Sequence, residues 1–209
     1  MVCRIYLIRH GETLWNHARK YQGHADIALS ERGLKQAEAL ARRLEREQFA
    51  AFFASDLRRA SDTAEIIARP HGGKVSTLPA LREINFGEWE GLTRDEIKAR
   101  FPELSEQWWA APCSTRLPGG EMLAEVTLRA ATAIEDIAAA YPDAQVVVVS
   151  HGGAIRASIG HYLKMDLNQY WRLRQDNAAL NILEFYERDR AQLIVFNDCC
   201  HLNEFVQHT

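Results

Sequence analysis

Four short stretches of this chain place groups that can handle a phosphate directly behind apolar runs. Ile8-Arg9-His10-Gly11-Glu12 and Val149-Ser150-His151-Gly152-Gly153 each present a histidine with glycine behind it. Glycine permits a tight turn there and lets a ligand approach the backbone. One such histidine is weak; two, each at the exit of a buried strand, predict a pair of imidazoles facing one cleft. Ser55-Asp56-Leu57-Arg58-Arg59-Ala60 follows the apolar 50–54 and opens a helix. On that helix Arg58 and Arg59 point about 100° apart, so only one of them can face the cleft. Leu81-Arg82-Glu83-Ile84 adds a carboxyl group. Two histidines, at least two arginines and a glutamate suit a phosphate monoester. Guanidinium groups match the dianion bidentately, an imidazole can attack phosphorus and a carboxyl group can protonate the leaving oxygen.

These residues need elements to position them. Residues 3–8 read as a buried strand. Ser30 caps a helix over 31–47 with Leu34, Ala37, Leu40, Ala41 and Leu44 on one face. A strand over 50–54, a helix over 57–69 and a short strand over 74–78 follow. An Ala-rich helix near 121–140 ends at Tyr141-Pro142, 145–149 is the clearest buried strand, and a helix starts after Gly152-Gly153. Residues 179–186 and 191–196 form a closing strand pair. Alternating strands and helices predict an α/β fold, a three-layer, mostly parallel sheet with helices on both faces. Ligands of such sheets sit beyond the carboxyl ends of the strands, where the four stretches lie. The whole of 1–209 is expected to be one domain. The irregular 84–120, with a Thr93/Glu96 capping box inside it, is expected to form a lid-like insertion at the mouth of the cleft. It would bring Arg94, Lys98, Arg100 and Arg116 there. Trp89 and Trp108-Trp109 are equally balanced between lining a pocket and packing the insertion.

The composition is that of a globular protein: 209 residues, 47% hydrophobic, 25% charged, net charge −3. Disorder and general nucleic-acid binding are excluded. No apolar run approaches the ~20 residues of a membrane span, and Arg9 interrupts the N-terminal apolar stretch before a signal sequence could form. Cys3, Cys113, Cys199 and Cys200 make no CxxC pair and read as reduced thiols of a cytoplasmic protein. Cys199-Cys200-His201 is read as structural or as a pocket wall, not as a metal site. His17, His24, His71, His161 and His208 are read as structural or solvent-exposed. The Cys3-x5-Arg9 spacing of cysteine phosphatases is accidental, because a strand holds its ends roughly 20 Å apart. GxxxxGK[ST] and HExxH are absent from the sequence.

Leu7-Ile8-Arg9-His10-Gly11-Glu12-Thr13 with Trp15-Asn16 resembles the signature of the histidine phosphatase superfamily, in its phosphoglycerate mutase-like branch. The likeness continues in Tyr21-Gln22-Gly23, Leu29 to Gly33, Ser55 to Ala64, Leu81 to Ile84 and Phe86 to Gly91. It runs on through Pro118-Gly119-Gly120-Glu121 and Ser150 to Gly153, so it covers nearly the whole chain. The resemblance implies that His10 is the nucleophile that becomes phosphohistidine, Glu83 the proton donor, and His151 a stabiliser of the transferring group. It implies Arg9 and Arg59 as the clamp, which selects Arg59 over Arg58. Asn16, Gln22, Gly23, Thr13 and Gly152 would touch phosphate or substrate. Lys20 stands where the family often has arginine. An attacking imidazole must be neutral, and neighbouring Arg9 and Arg59 disfavour its protonation. Ile84, Phe86 and Trp89 would surround Glu83 with apolar groups.

The expected function is a metal-independent phosphomonoesterase that needs no cofactor. Its partner is a small phosphorylated metabolite, with no nucleic acid, no membrane and room for a homodimer. The pattern is most similar to the bacterial α-ribazole phosphatase and broad-specificity phosphatase group, which points to α-ribazole 5'-phosphate. Asn197 to Leu202 resembles the tail of that group and of metal-independent phosphoserine phosphatases. A phosphoserine phosphatase and a phosphoglycerate mutase are the alternative enzymes. A phosphate-ligand binding or scaffold protein is the non-enzyme alternative, and the presence of both His10 and Glu83 counts against it.

Overall fold

Val146 to Val149 are all fully buried, at the middle of a six-stranded sheet. The computed structural model describes residues 2–205, so His208 lies outside the described residues. In chain order the elements are β1 (Cys3–Arg9), a one-turn α1 (Leu14–His17), α2 (Glu31–Leu44), β2 (Ala51–Ala54), α3 (Arg58–Ala68), β3 (Val75–Thr77), α4 (Arg94–Arg100), α5 (Pro102–Ala110), α6 (Leu123–Ala140), β4 (Gln145–Ser150), α7 (Gly152–Tyr162), β5 (Leu180–Glu187) and β6 (Arg190–Asp198). The strand order is β3-β2-β4-β1-β5-β6. β4 pairs in parallel with both β1 and β2, and β2 with β3. β5 runs antiparallel to both of its neighbours. The fold is therefore the α/β arrangement expected, with one reversed strand in an otherwise parallel sheet.

Side chains of successive strand residues point to opposite faces, and the two faces collect different helices. Ile5, Leu7, Val146 and Val148 pack with Ile134, Ile137, Ile155 and Ile159 of α6 and α7. Tyr6, Ile8, Val147 and Val149 pack with Leu40, Leu44, Ala60 and Ile67 of α2 and α3. Burial on both faces explains the unbroken valine run of β4.

α2 begins as predicted, with the Ser30 hydroxyl accepting from Gly33 N–H at 3.1 Å. It ends at Leu44, and its buried stripe differs from the expected one. Leu34 is 42% exposed, while Gly33 and Gln36 face inward. The reason is the close approach of the His10 loop: a Cβ on Gly33 would stand 2.0 Å from the Glu12 carbonyl oxygen, and Gln36 accepts from Glu12 N–H at 2.8 Å. Between 84 and 120 the Thr93/Glu96 capping box forms and opens α4. A second helix, α5, follows with Pro102 in its first turn, the position that needs no N–H donor. Trp89 and Trp108 are fully buried in a third cluster with Ile97, Leu117, Leu123 and Tyr170. Packing thus takes both rings.

Candidate active site

β1 and β4 are neighbours in register, Arg9 beside Ser150, so their two exits are forced together. The His10 and His151 ring centroids lie 5.1 Å apart. His10 N–H donates to the Ser150 carbonyl at 3.0 Å. Both histidines are buried, and their ring nitrogens are differently committed. His10 Nδ1 lies 2.7 Å from the Gly11 carbonyl oxygen. A carbonyl only accepts, so Nδ1 holds the proton and Nε2 keeps its lone pair. His151 Nδ1 is met by Nε–H of Arg59 at 3.2 Å. A guanidinium only donates, so here Nδ1 accepts, the ring is neutral, and Nε2 carries the proton. That buried Nε2–H has no partner. Burial, then the charges of Arg59 and Arg9, hold the His10 imidazole well below its ordinary protonation range. Burial and Arg59 do the same for His151.

Arg59 is fully buried in the first turn of α3, while Arg58 is exposed. Its other nitrogens donate to the carbonyls of Ala25 and Gly23, both at 2.7 Å. Arg9 donates to the Gln175 carbonyl at 2.5 Å, and its Nε has no partner. Burial pushes both guanidinium groups down to about 10.

Glu83 follows a short turn on the same edge of the sheet. Its carboxylate accepts from the N–H groups of Ile84 at 2.9 Å, Gly153 at 3.0 Å and Ala154 at 3.1 Å. The expected apolar surround is thus only partial: Trp89 is committed to the core, and the start of α7 holds the carboxylate by its backbone. Gly153 must be glycine for this contact, since a Cβ there would stand 2.3 Å from Glu83 Oε1. A layer behind fixes the Glu83 backbone. Arg129 of α6 donates to the carbonyls of Ala80 and Arg82 at 2.9 and 2.7 Å and of Glu83 at 2.7 Å, and it pairs with Glu121 at 2.8 Å. His24 Nε2 meets the Glu83 carbonyl at 3.0 Å, so His24 is structural, as expected.

The cleft beside these groups has a volume of about 300 Å³, and His151, fully buried behind His10, is not among its lining residues. Arg9, His10, Arg59, Glu83, Asn16, Gln22 and Gly152 line it. The side-chain oxygens of Asn16 and Gln22 accept from Thr13, which leaves their amide N–H groups for a ligand. Thr13 and Gly23 do not line the cleft. The Thr13 hydroxyl is fully buried and caps α1, and Gly23 acts through the carbonyl that holds Arg59.

The mouth also differs from expectation. Of 84–120 only Phe86 reaches the cleft among the described residues. Arg94 stacks on Trp109 at 4.5 Å, Arg116 pairs with Glu125, and Lys98 and Arg100 are exposed on α4. The rim cations are instead Arg19, Lys20 and Arg156, with Trp171 and Gln175 beside them. No sequence motif marks Arg156, Gln175 or Arg129. The Gln175 loop is held by the His10 loop, β6 and the C-terminal turn: Asn177 donates to the His10 carbonyl at 3.1 Å, Asp176 N–H donates to the Asn197 side-chain oxygen at 2.7 Å, and His201 meets the Ala178 carbonyl at 3.0 Å. Arg43 meets His201 Nδ1 at 3.1 Å, consistent with a structural role for this segment. The four cysteines are unpaired. No described helix is long and apolar enough to cross a membrane.

This edge of the sheet defines an α/β enzyme that handles phosphate monoesters. Residues 5–198 match the model of the histidine phosphatase superfamily (branch 1). The chain belongs to that superfamily and is a phosphoric monoester hydrolase. It is 36% identical over 202 residues to phosphoserine phosphatase 1 of Hydrogenobacter thermophilus, covering 97% of this chain and 95% of that protein. Among solved structures it is similar to YhfR of Bacillus stearothermophilus, with a TM-score of 0.90, 31% identity, and 96% and 100% of the two chains covered. It is also similar to phosphoserine phosphatase of Entamoeba histolytica in complex with phosphoserine, with a TM-score of 0.87, 29% identity, and coverage of 96% and 99%.

Proposed function

We propose that this phosphatase hydrolyses a small phosphorylated metabolite through a phosphohistidine on His10, without a metal. The observation that carries the reading is the tautomer of His10, whose unprotonated Nε2 is the one ring atom free to attack. In the first step Nε2 bonds to phosphorus and the bond from phosphorus to the substrate oxygen breaks. Glu83, entering as the carboxylic acid, gives its proton to that oxygen. In the second step the Glu83 carboxylate takes a proton from water, whose oxygen attacks phosphorus as the N–P bond breaks. Phosphate leaves, His10 is again neutral and Glu83 is again protonated. Arg9, Arg59 and the Nε2–H of His151 bind the non-bridging oxygens and supply the positive charge that a metal would otherwise bring. The relatives' names favour a phosphorylated acid such as phosphoserine over α-ribazole 5'-phosphate.

A phosphoglycerate mutase would use the same residues, and the rim cations Arg19, Lys20 and Arg156 keep that reading in play. The test is phosphate release from a panel of phosphomonoesters with and without EDTA, alongside 3-phosphoglycerate supplied with catalytic 2,3-bisphosphoglycerate. We expect chelator-resistant hydrolysis, an acid-labile, alkali-stable phosphoenzyme, and less than about 1% of the rate in His10→Ala, a loss of more than about 2.7 kcal/mol of transition-state stabilisation. Isomerisation outpacing phosphate release on every substrate would replace the phosphatase reading by the mutase. EDTA-sensitive activity restored by Mg²⁺ or Zn²⁺ would overturn the mechanism.

A further inference from the structure

The cleft continues outward past the groups that a phosphate engages, and its outer part holds polar atoms with nothing to bond. Gln175 is 7% exposed, and neither its side-chain nitrogen nor its oxygen has a partner. Its backbone is not free to turn away, because the Gln175 carbonyl accepts from Arg9. A buried amide left unpaired at both ends is costly, and a ligand offering an acceptor beside a donor would satisfy both. Trp171 Nε1 is a further unpaired buried donor in the same wall.

Arg156 stands next to them and is held before any ligand arrives. Its Nε donates to the Gly152 carbonyl at 3.0 Å. Its guanidinium stacks on Tyr170 at 4.8 Å and on Trp171 at 5.4 Å. No described carboxylate pairs with it, and its two terminal nitrogens make no hydrogen bond among the described residues. A guanidinium fixed by one edge and one face presents its remaining N–H groups as a fork, the geometry that matches a carboxylate.

We propose that Arg156 and Gln175 form a subsite for a leaving group bearing a carboxylate with a hydroxyl or ammonium beside it. The substrate class is then a phosphorylated short hydroxy or amino acid. The carboxylate lies on the Arg156 fork and accepts from the Gln175 amide N–H. The neighbouring hydroxyl or ammonium donates to the Gln175 oxygen. Arg9 and Arg59 already serve the phosphate dianion, so Arg156 is left for this second group. The assignment rests on reading the inner cleft as the phosphate site.

The test compares kcat/KM for two substrate pairs that differ at the carboxylate: 3-phosphoglycerate against glycerol 3-phosphate, and phosphoserine against phosphoethanolamine. The wild-type enzyme should favour the carboxylated member by roughly ten- to hundredfold, the effect of a paired charge-assisted contact. Arg156→Gln and Gln175→Leu, each made separately, should move both ratios toward one. Binding of the same four compounds to His10→Ala, followed by calorimetry, reads the subsite without turnover and should show the same preference. Wild-type ratios near one, or ratios unchanged in both variants, would overturn the proposal. So would a stronger preference for a bisphosphate than for either carboxylate. If calorimetry shows the carboxylate preference while no phosphomonoester is hydrolysed, the phosphatase reading fails and the subsite stands. If p-nitrophenyl phosphate is hydrolysed through His10 with no carboxylate preference, the subsite alone fails.

Discussion

Two histidines held neutral and buried make the folded protein sensitive to mild acid in a way that can be worked out. His10 and His151 both sit well below the ordinary value of 6.5. An unfolded chain regains that value, so below pH 6.5 it binds protons that the folded chain refuses. Folded pKa values depressed in this way give stability that is present above pH 6.5 and falls as the pH falls below it. Between pH 7.5 and 5.5 each histidine costs at most about 1.4 kcal/mol, so the pair costs at most about 2.7 kcal/mol. His201, lowered to about 4 mainly by burial, adds at most about 1.4 kcal/mol, discounted because the ring is only half-buried. The carboxylates held low by arginine partners, Asp56 and Asp198, act only at lower pH. Glu135, raised by burial, acts in the opposite sense. Comparing wild type with His10→Ala cancels these other groups. Urea unfolding at pH 7.5 and 5.5, in buffer free of phosphate, should show a smaller acid loss in the variant, by up to about 1.4 kcal/mol. The same loss in both proteins would refute the neutral buried imidazole, and with it the physical basis for His10 as a nucleophile below neutral pH.

The layer that holds Glu83 gives further tests. In Gly153→Ala the new Cβ, 2.3 Å from Glu83 Oε1 and 2.8 Å from Ile84 Cδ1, forces the carboxylate off the start of α7. We expect kcat on an alkyl phosphate to fall about a hundredfold, with a smaller loss on p-nitrophenyl phosphate, whose leaving group scarcely needs a proton; rate assays on both substrates check this. Arg129→Met strips three carbonyls of their donor and leaves Glu121 without its pair. Its urea midpoint should fall by the equivalent of about 3 kcal/mol.

The parts of the fold governed by local rules were legible in the chain. The Val146 to Val149 run, the Ser30 cap and the Thr93/Glu96 box announce their elements because period and capping are short-range physics. Leu34 misled because the inward face of α2 is set by the Glu12 backbone, a contact from another element. α5 was missed because 102–110 carries only a weak helical stripe, although Pro102 marked its start. The inner site was legible for a topological reason: in a mostly parallel sheet, residues that follow different strands converge at one edge. The outer cleft was not. Arg156 lies one turn inside α7 and Gln175 on a connecting loop, and only three-dimensional packing brings them beside Trp171. Arg94, Lys98, Arg100 and Arg116 were nearer in sequence to the expected mouth, yet stacking, ion pairing and exposure on α4 leave them outside the cleft.

The nearly identical strand exits also show how much a second neighbour decides. His10 and His151 occupy equivalent positions behind β1 and β4, and the local residues alone assign them no different chemistry. The difference arises at Nδ1. Gly11 offers His10 a carbonyl, so its Nε2 is a lone pair. Arg59, from the start of α3, offers His151 an N–H, so its Nε2 is a donor. In the proposed mechanism one imidazole attacks while the other binds the oxygens of the group under attack, and neither needs to be charged. A lone pair and a donor placed side by side would, on that proposal, let both rings meet one dianion without opposing Arg9 and Arg59. Arg59 thus does two things at once: it brings charge to the cleft, and by donating to His151 Nδ1 it fixes the tautomer that leaves His10 Nε2 as the free lone pair of the two rings.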